Sequence, residues 1–192
     1  MILVQTGLLQ TKKLCKETDM TTIGVIADTH VPRRGKGLPE ALLQKLAGVD
    51  MIIHAGDLCR DYVIYELEEI APVFAVLGNN DDEYLESLLP LKRILQVEAC
   101  NIGIIHGHNF SGTAAANAEK AFRGEQVNCV VFGHSHIPVN KHIDNILYFN
   151  PGSAMDKRRQ EKYTYGILRV SGSEISGDII EFEFDKIHPG TY

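Results

Sequence analysis

Short, nearly continuous apolar runs rich in β-branched residues punctuate the chain: IGVIA (23–27), MIIHA (51–55), VFAVLG (73–78), ILQVEA (94–99), IGIIHG (102–107), VVFG (130–133) and ILYFN (146–150). Runs this short and this uniformly apolar predict strands buried on both faces. Helical patterns lie between several of them. Residues 39–47 open on Pro39 and are followed by Gly48, residues 61–70 set Val63, Ile64, Leu67 and Ile70 on one face, and the Ala-rich stretch 113–122 runs to Gly124. After these, TYGILRV (164–170) and GDIIEFEFD (177–185), separated by a Ser-Gly turn, read as an antiparallel hairpin. The pattern predicts one α/β domain, two sheets packed face to face with helices outside.

The polar residues that follow these runs carry the chemistry. Asp28-Thr29-His30 follows the first strand, Gly56-Asp57 the second, and Gly78-Asn79-Asn80-Asp81 the third. His106-Gly107-His108 closes a later strand and Gly133-His134-Ser135-His136 the next. Loops at the carboxyl ends of strands converge in open α/β sheets, so side chains placed there meet. Each pair alone is weak, because a lone D-x-H or H-x-H is more often a cap or a surface histidine. Metal-capable groups at five successive strand ends are hard to assemble by chance. His54 lies inside a strand and reads as a packing or supporting residue. His142 and His188 read as structural or solvent-facing.

A net charge of −6 and a pI near 5.7 argue against a broad electrostatic footprint for nucleic acid or an anionic membrane. They leave room for a small phosphorylated substrate, because a metal site supplies intense local positive charge. Cys15, Cys59, Cys100 and Cys129 form no CxxC pair and read as reduced thiols. No apolar run approaches a membrane span and the first residues lack a secretory pattern, so a cytoplasmic location is expected. Residues 1–19 stand apart as an N-terminal extension preceding a domain of residues 20–192. Met20 as the natural start and an extra docked strand or helix both stay open for that segment. A homo-oligomer is left open too.

The strand-end residues resemble the calcineurin-like metallophosphoesterase superfamily, whose pattern is D-x-H, G-D, G-N followed by His or another residue and then an acid, H, and G-H-x-H. Asn150-Pro151-Gly152-Ser153 is similar to its small single-domain bacterial and archaeal phosphodiesterase branch. The resemblance spans about Ile23 to Asp185. It implies a four-layer αββα sandwich of two mixed β-sheets flanked by helices. It also implies one divalent ion held by Asp28, His30, Asp57 and His136, and a second held by Asp57, Asn79, His106 and His134. In that arrangement a hydroxide bridging the two ions attacks phosphorus in a small phosphodiester or phosphomonoester. The carboxylate, imidazole and amide set suits first-row ions, with manganese expected and iron, zinc or nickel as alternatives.

One position departs from the pattern. Many members carry histidine after the metal-binding Asn, where it steadies the transition state or protonates the leaving group. Here the residue is Asn80, an amide that donates hydrogen bonds but is a poor proton source. His108 is a candidate substitute, with a loop or supporting histidine as the competing reading, and Asp81 is expected to brace the Asn79 loop. Arg33, Arg34 and Lys36 read as a solvated basic loop. The competing function is a non-catalytic metal-binding scaffold of the same fold, as in the eukaryotic retromer scaffold subunit. Retention of all seven ligand positions favours catalysis.

Overall fold

A computed structural model describes residues 20–184. The expected N-terminal extension, Cys15 and His188 lie outside the described residues. In chain order the elements are β1 (Thr21–Ile26), α1 (Glu40–Leu46), β2 (Met51–His54), α2 (Tyr62–Glu68), β3 (Val73–Ala75), α3 (Glu83–Leu88), β4 (Lys92–Val97), β5 (Cys100–Ile105), α4 (Ala114–Ala121), β6 (Cys129–Phe132), β7 (Val139–Ile143), β8 (Ile146–Asn150), β9 (Tyr163–Ser171) and β10 (Glu174–Phe182).

The strands form two five-stranded mixed sheets, ordered β10-β9-β1-β2-β3 and β4-β5-β6-β8-β7. In the first, β1, β2 and β3 are parallel while the β9–β10 hairpin runs against them. In the second, β5, β6 and β8 are parallel, with β4 and β7 antiparallel on the two edges.

Side-chain alternation along each strand builds the layers. Ile23 and Val25 of β1, Ile53 of β2, and Leu168 and Val170 of β9 face inward. They meet Ile102 and Ile104 of β5, Cys129 and Val131 of β6, and Leu147 and Phe149 of β8 in one buried core between the sheets. The opposite face of the first sheet, with Ile26 and Ile52, packs on Leu42 and Leu46 of α1, Val63 and Leu67 of α2 and Leu85 of α3. The opposite face of the second, with Ile105, Val130 and Phe132, packs on Ala114 and Ala118 of α4 and on Phe122. The result is the expected four-layer order, helices–sheet–sheet–helix. Burying each large aliphatic or aromatic side chain in these layers contributes roughly 1.5–3 kcal/mol.

Two elements lie beyond the sequence expectation. α3 is a short acidic helix whose N-cap, Asp82, accepts a hydrogen bond from the Leu85 amide at 2.9 Å. β7 is almost wholly exposed and exists because the edge of β8 offers it a full antiparallel register.

Candidate metal centre

The carboxyl ends of the parallel strands in both sheets open on the same side of the sandwich, and the loops there interlock. The Asp28 amide donates to the Gly56 carbonyl, His30 to Asp57, and Gly133 to His106, at 3.0, 3.0 and 3.1 Å. The His134 amide donates to the Asp28 carboxylate at 2.9 Å, tying a loop of the second sheet to one of the first.

Backbone conformation explains how so many polar side chains converge. Asp28 and His30, Asp57 and Cys59, and His134 and His136 all have positive φ, from 51° to 75°. Each pair brackets one intervening residue, so three separate strand ends share the same left-handed, single, left-handed pattern. Non-glycine residues held there each cost on the order of 1–3 kcal/mol, a strain that concentrates at functional sites.

Asp28 and Asp57 are almost fully buried, as are His30, His106 and His136. The Asp28 Oδ1 lies 3.3 Å from His136 Nε2, 3.9 Å from His30 Nε2 and 4.0 Å from His106 Nε2. The Asp57 Oδ2 lies 3.3 Å from His106 Nε2 and 3.6 Å from His30 Nε2. His30 and His136 stack with their Nε2 atoms 3.3 Å apart. Burial pushes the Asp57 pKa up, yet pairing with His106 and hydrogen bonds from Asn80 outweigh it and hold the carboxyl well below its usual range. Burial pulls His106 and His136 down, and Asp57 and Asp28 respectively more than reverse this, so both end raised. His30 and His134 are lowered, chiefly by burial.

The geometry fits divalent cations. Asp28 Oδ1 and His106 Nε2 are buried with no hydrogen-bond partner, and both point into the cluster. Buried polar atoms left unpaired are costly unless something else satisfies them. The candidate ligand rings are oriented from behind: His106 Nδ1 meets the Ala55 carbonyl at 2.8 Å and His136 Nδ1 meets the Asp156 carbonyl. Tying Nδ1–H to a carbonyl fixes the tautomer that leaves Nε2 free to coordinate. Asp28, His30 and His136 form one group of candidate ligands, and Asp28, Asp57 and His106 another.

Of the nine residues singled out in the sequence, seven lie in or against this cluster: Asp28, His30, Asp57, Asn80, His106, His134 and His136. His134 is half-buried, its ring 5.1 Å from that of His106. Asn79 is exposed at the rim. Its neighbour Asn80 touches the cluster instead, its amide and side-chain nitrogen donating to the two Asp57 oxygens at 2.8 and 2.7 Å. His108 is half-buried with its ring 5.3 Å from His106 and 6.3 Å from His134, and burial lowers its pKa. His54 supports rather than lines the cluster: it is fully buried and its Nε2 lies 3.1 Å from the Thr29 hydroxyl, within the Asp28–His30 loop. Asp81 braces the loops, accepting from the Gly78 and Cys59 amides at 2.7 Å each.

The basic loop is more engaged than its sequence suggests. Arg33 donates to the Asn80 side-chain oxygen at 2.9 Å and so fixes which face of that amide meets Asp57. Arg34 pairs with Asp156 at 3.0 Å. Further support comes from residues that only the N-P-G-S resemblance hinted at. Asn150 donates to the Gly133 carbonyl at 2.9 Å, and the Ser153 hydroxyl donates to the Asp28 carbonyl at 2.8 Å. Asn117, buried in α4, donates to the Gly107 and Phe110 carbonyls at 2.8 and 2.9 Å, and nothing in its sequence context marks it.

Gly78 is fixed by a close approach. A Cβ there would lie 2.2 Å from both the amide nitrogen and Oδ1 of Asp57, so only glycine lets the third strand end pass the central carboxylate.

Residues 21–173 match the calcineurin-like phosphoesterase superfamily domain. A "probable metallophosphoesterase" of Methanothermobacter thermautotrophicus is 33% identical over 159 residues, covering 82% of this chain and 91% of that protein. A phosphodiesterase of Methanocaldococcus jannaschii is 30% identical over 144 residues, covering 68% of this chain and 82% of its own length. Among solved structures, vacuolar protein sorting 29 from Cryptosporidium parvum superposes with a TM-score of 0.69 at 19% identity, over 88% of this chain and 100% of that one, a likeness of fold. Motifs, layered fold, converging ligands and these relatives agree: the chain belongs to the calcineurin-like phosphoesterase superfamily, which implies divalent metal ions at this cluster.

Proposed function

We propose that the chain is a phosphodiesterase that binds two divalent ions. Asp28, His30, Asp57 and His136 hold one, and Asp57, Asn79, His106 and His134 the other, with manganese the expected metal. The observation that carries this reading is the pair of buried carboxylates, Asp28 and Asp57, facing three imidazole Nε2 atoms at 3.3–4.0 Å, with two buried polar atoms left unpaired. Two ions so placed supply a nucleophilic hydroxide from water at neutral pH and neutralise charge on the phosphoryl oxygens. Preference for a diester is supported by the relative named a phosphodiesterase.

The residues divide the remaining work. Asp57 is the shared ligand, kept ionised by His106 and by its two hydrogen bonds from Asn80. His106 and His136 present Nε2 because their Nδ1 atoms are occupied by carbonyls. Asn80 is committed to Asp57 and offers no proton, so the half-buried His108 is the rim imidazole available to the leaving oxygen. Burial lowers its pKa, which limits it as a proton donor. Substrates with good leaving groups are therefore favoured.

The test is hydrolysis of bis(p-nitrophenyl) phosphate by chelator-stripped protein, with and without manganese, beside an Asp57→Asn variant. Activity that returns with manganese and is absent from the variant is expected. No hydrolysis with any divalent ion, despite metal bound, would overturn the reading and put the scaffold alternative first.

A further inference from the structure

Behind His108 lies a buried tie to α4. The loop after β5 turns at Gly107 and again at Gly112, both at positive φ (98° and 122°), so its backbone can swing at each end. Between those turns Asn109, Phe110 and Ser111 face solvent, and only His108 is half-buried. Its ring stands 5.3 Å from His106 and 6.3 Å from His134. What holds it there is Asn117 of α4, which is 2% exposed. The Asn117 side-chain nitrogen has two N–H donors and places both across the loop, on the Gly107 carbonyl at 2.8 Å and the Phe110 carbonyl at 2.9 Å. Those carbonyls bracket His108 and Asn109, so one buried amide closes the turn that carries the imidazole. One helical turn further on, the Lys120 ammonium lies over the Phe110 ring at 4.5 Å and steadies the same turn from outside.

The ring is held with one nitrogen in want of an acceptor. His108 Nε2 lies 3.5 Å from Asn109 Nδ2, a long contact with a group that can only donate. Nε2 therefore accepts, and the ring proton sits on Nδ1. That atom is buried, and none of the described residues hydrogen-bonds to it. A donor desolvated without a partner is unfavourable in the free protein, and such atoms are kept where a ligand or a reaction completes them. Asn80 does not compete for that role, because its backbone and side-chain nitrogens are both turned to Asp57.

We propose that Asn117 is a positioning residue: through the Gly107 and Phe110 carbonyls it holds His108 Nδ1–H against the cluster, where that donor hydrogen-bonds the departing ester oxygen. The proposal rests on the phosphodiesterase reading and deepens it. The imidazole keeps its proton. Charge that builds on the oxygen as the P–O bond breaks is met by a donor already in place, and the proton that finally neutralises it comes from water.

Diphenyl phosphate and bis(p-nitrophenyl) phosphate carry the same charge, but the phenyl ester leaves more charge on the departing oxygen and so needs the donor more. In the manganese-loaded protein, Asn117→Ala should lower kcat for diphenyl phosphate roughly 100-fold, the effect of withdrawing one preorganised donor. The nitrophenyl ester should lose less, and KM should change little for either. His108→Ala should shift the ratio of the two rates in the same way, and adding Asn117→Ala to it should shift the ratio no further. Asn117→Asp keeps the side chain's shape while withdrawing both donors, and replaces the alanine variant if that one does not fold. Ala118→Gly, in the same helix but packed in the core, should lose stability and keep the ratio. An unchanged ratio in the Asn117 variants, or a further shift in the double variant, overturns the proposal. Imidazole nitrogen–proton correlation spectra of the metal-free protein read the same placement without turnover. His108 should appear as the Nδ1–H tautomer and move in the Asn117 variant to the Nε2–H form that prevails in water. That move, with neither ester hydrolysed by the original protein, supports the positioning and overturns the phosphodiesterase reading. An Nε2–H ring in the original protein overturns the positioning even where both esters are cleaved.

Discussion

Replacing Gly78 with alanine tests whether the third strand end sets the position of the central carboxylate. The new methyl would sit 2.2 Å from the backbone nitrogen and Oδ1 of Asp57, and ordinary contact begins at 3.4 Å, so one side must retreat by more than 1 Å. Neither side yields cheaply. Asp57 is tethered through the His30 amide, the Asn80 amide and the Asn80 side chain, and the Gly78 amide is tethered to Asp81. Forcing a methyl into such a site costs about 1–3 kcal/mol of stability. The functional loss should be larger in proportion, because metal–ligand distances tolerate only about 0.2 Å. Manganese affinity should therefore fall at least as far as when supporting contacts around a metal are removed, roughly 10–100-fold. Gly124→Ala is the control: φ is +84° there but nothing lies within 4 Å of the added carbon. That change should cost about 1–2 kcal/mol from backbone strain alone and leave metal affinity intact. Urea unfolding and calorimetric manganese titration of both variants decide the matter. Wild-type affinity in Gly78→Ala, or an equal loss in Gly124→Ala, would refute the steric argument.

Burial drives the His54 pKa from 6.5 down to about 3, so between those values the unfolded chain binds a proton that the folded one refuses. Stability of the metal-free protein should therefore rise with pH through that window, by an amount on the order of a few kcal/mol. A His54→Phe variant should show a shallower slope in urea unfolding between pH 4 and 6.5, and an unchanged slope would exclude His54 as the cause. Cys59 is buried against His30, its Sγ 3.8 Å from Nδ1, and burial pushes its pKa up to about 11. Iodoacetamide at pH 7.5 should label it far more slowly than the same thiol in urea, and labelling at equal rates would contradict this. Asn80→Ala removes one donor from Asp57 and frees Arg33. Manganese affinity should drop roughly tenfold or more, whereas Asn80→His should raise hydrolysis of esters with alkyl leaving groups relative to p-nitrophenyl ones. A relative rate that does not move would remove Asn80 from the leaving-group argument.

The fold was legible where apolar runs met both faces of a sheet. β1, β2, β5, β6 and β8 fall within a few residues of their expected positions because their burial is continuous or nearly so. The run 73–78 over-predicted β3, which pairs only over Val73–Ala75. Val76 and Leu77 are buried without joining the ladder, since hydrophobicity reports burial and not strand pairing. The exposed edge strand β7, with Asn140, Lys141 and His142, carries no periodic signal at all. Within the site, residue spacing singled out the side chains that converge, because strand ends force them together. It could not separate Asn79 from Asn80, which depends on how one loop turns past Gly78. Nor could it assign Ser153, Asn117 or Asp156, whose roles rest on hydrogen bonds over 10 to 125 residues of chain.

The proposed ligands come from both halves of the sandwich: Asp28, His30 and Asp57 from loops of the first sheet, His106, His134 and His136 from loops of the second. An ion shared among them is consequently a rivet through the seam between the sheets, and its binding free energy adds to whatever holds that seam shut. Stripped of metal, the sandwich should loosen from this end, where two like-charged carboxylates and strained loops meet. The opposite end stays clasped by the Ala99 amide donating to the Gly172 carbonyl and by Glu98 accepting from Thr21. Proteolysis or amide exchange would then start at the ligand loops and travel down the seam, so that the same atoms that organise the chemistry also decide where the molecule comes apart.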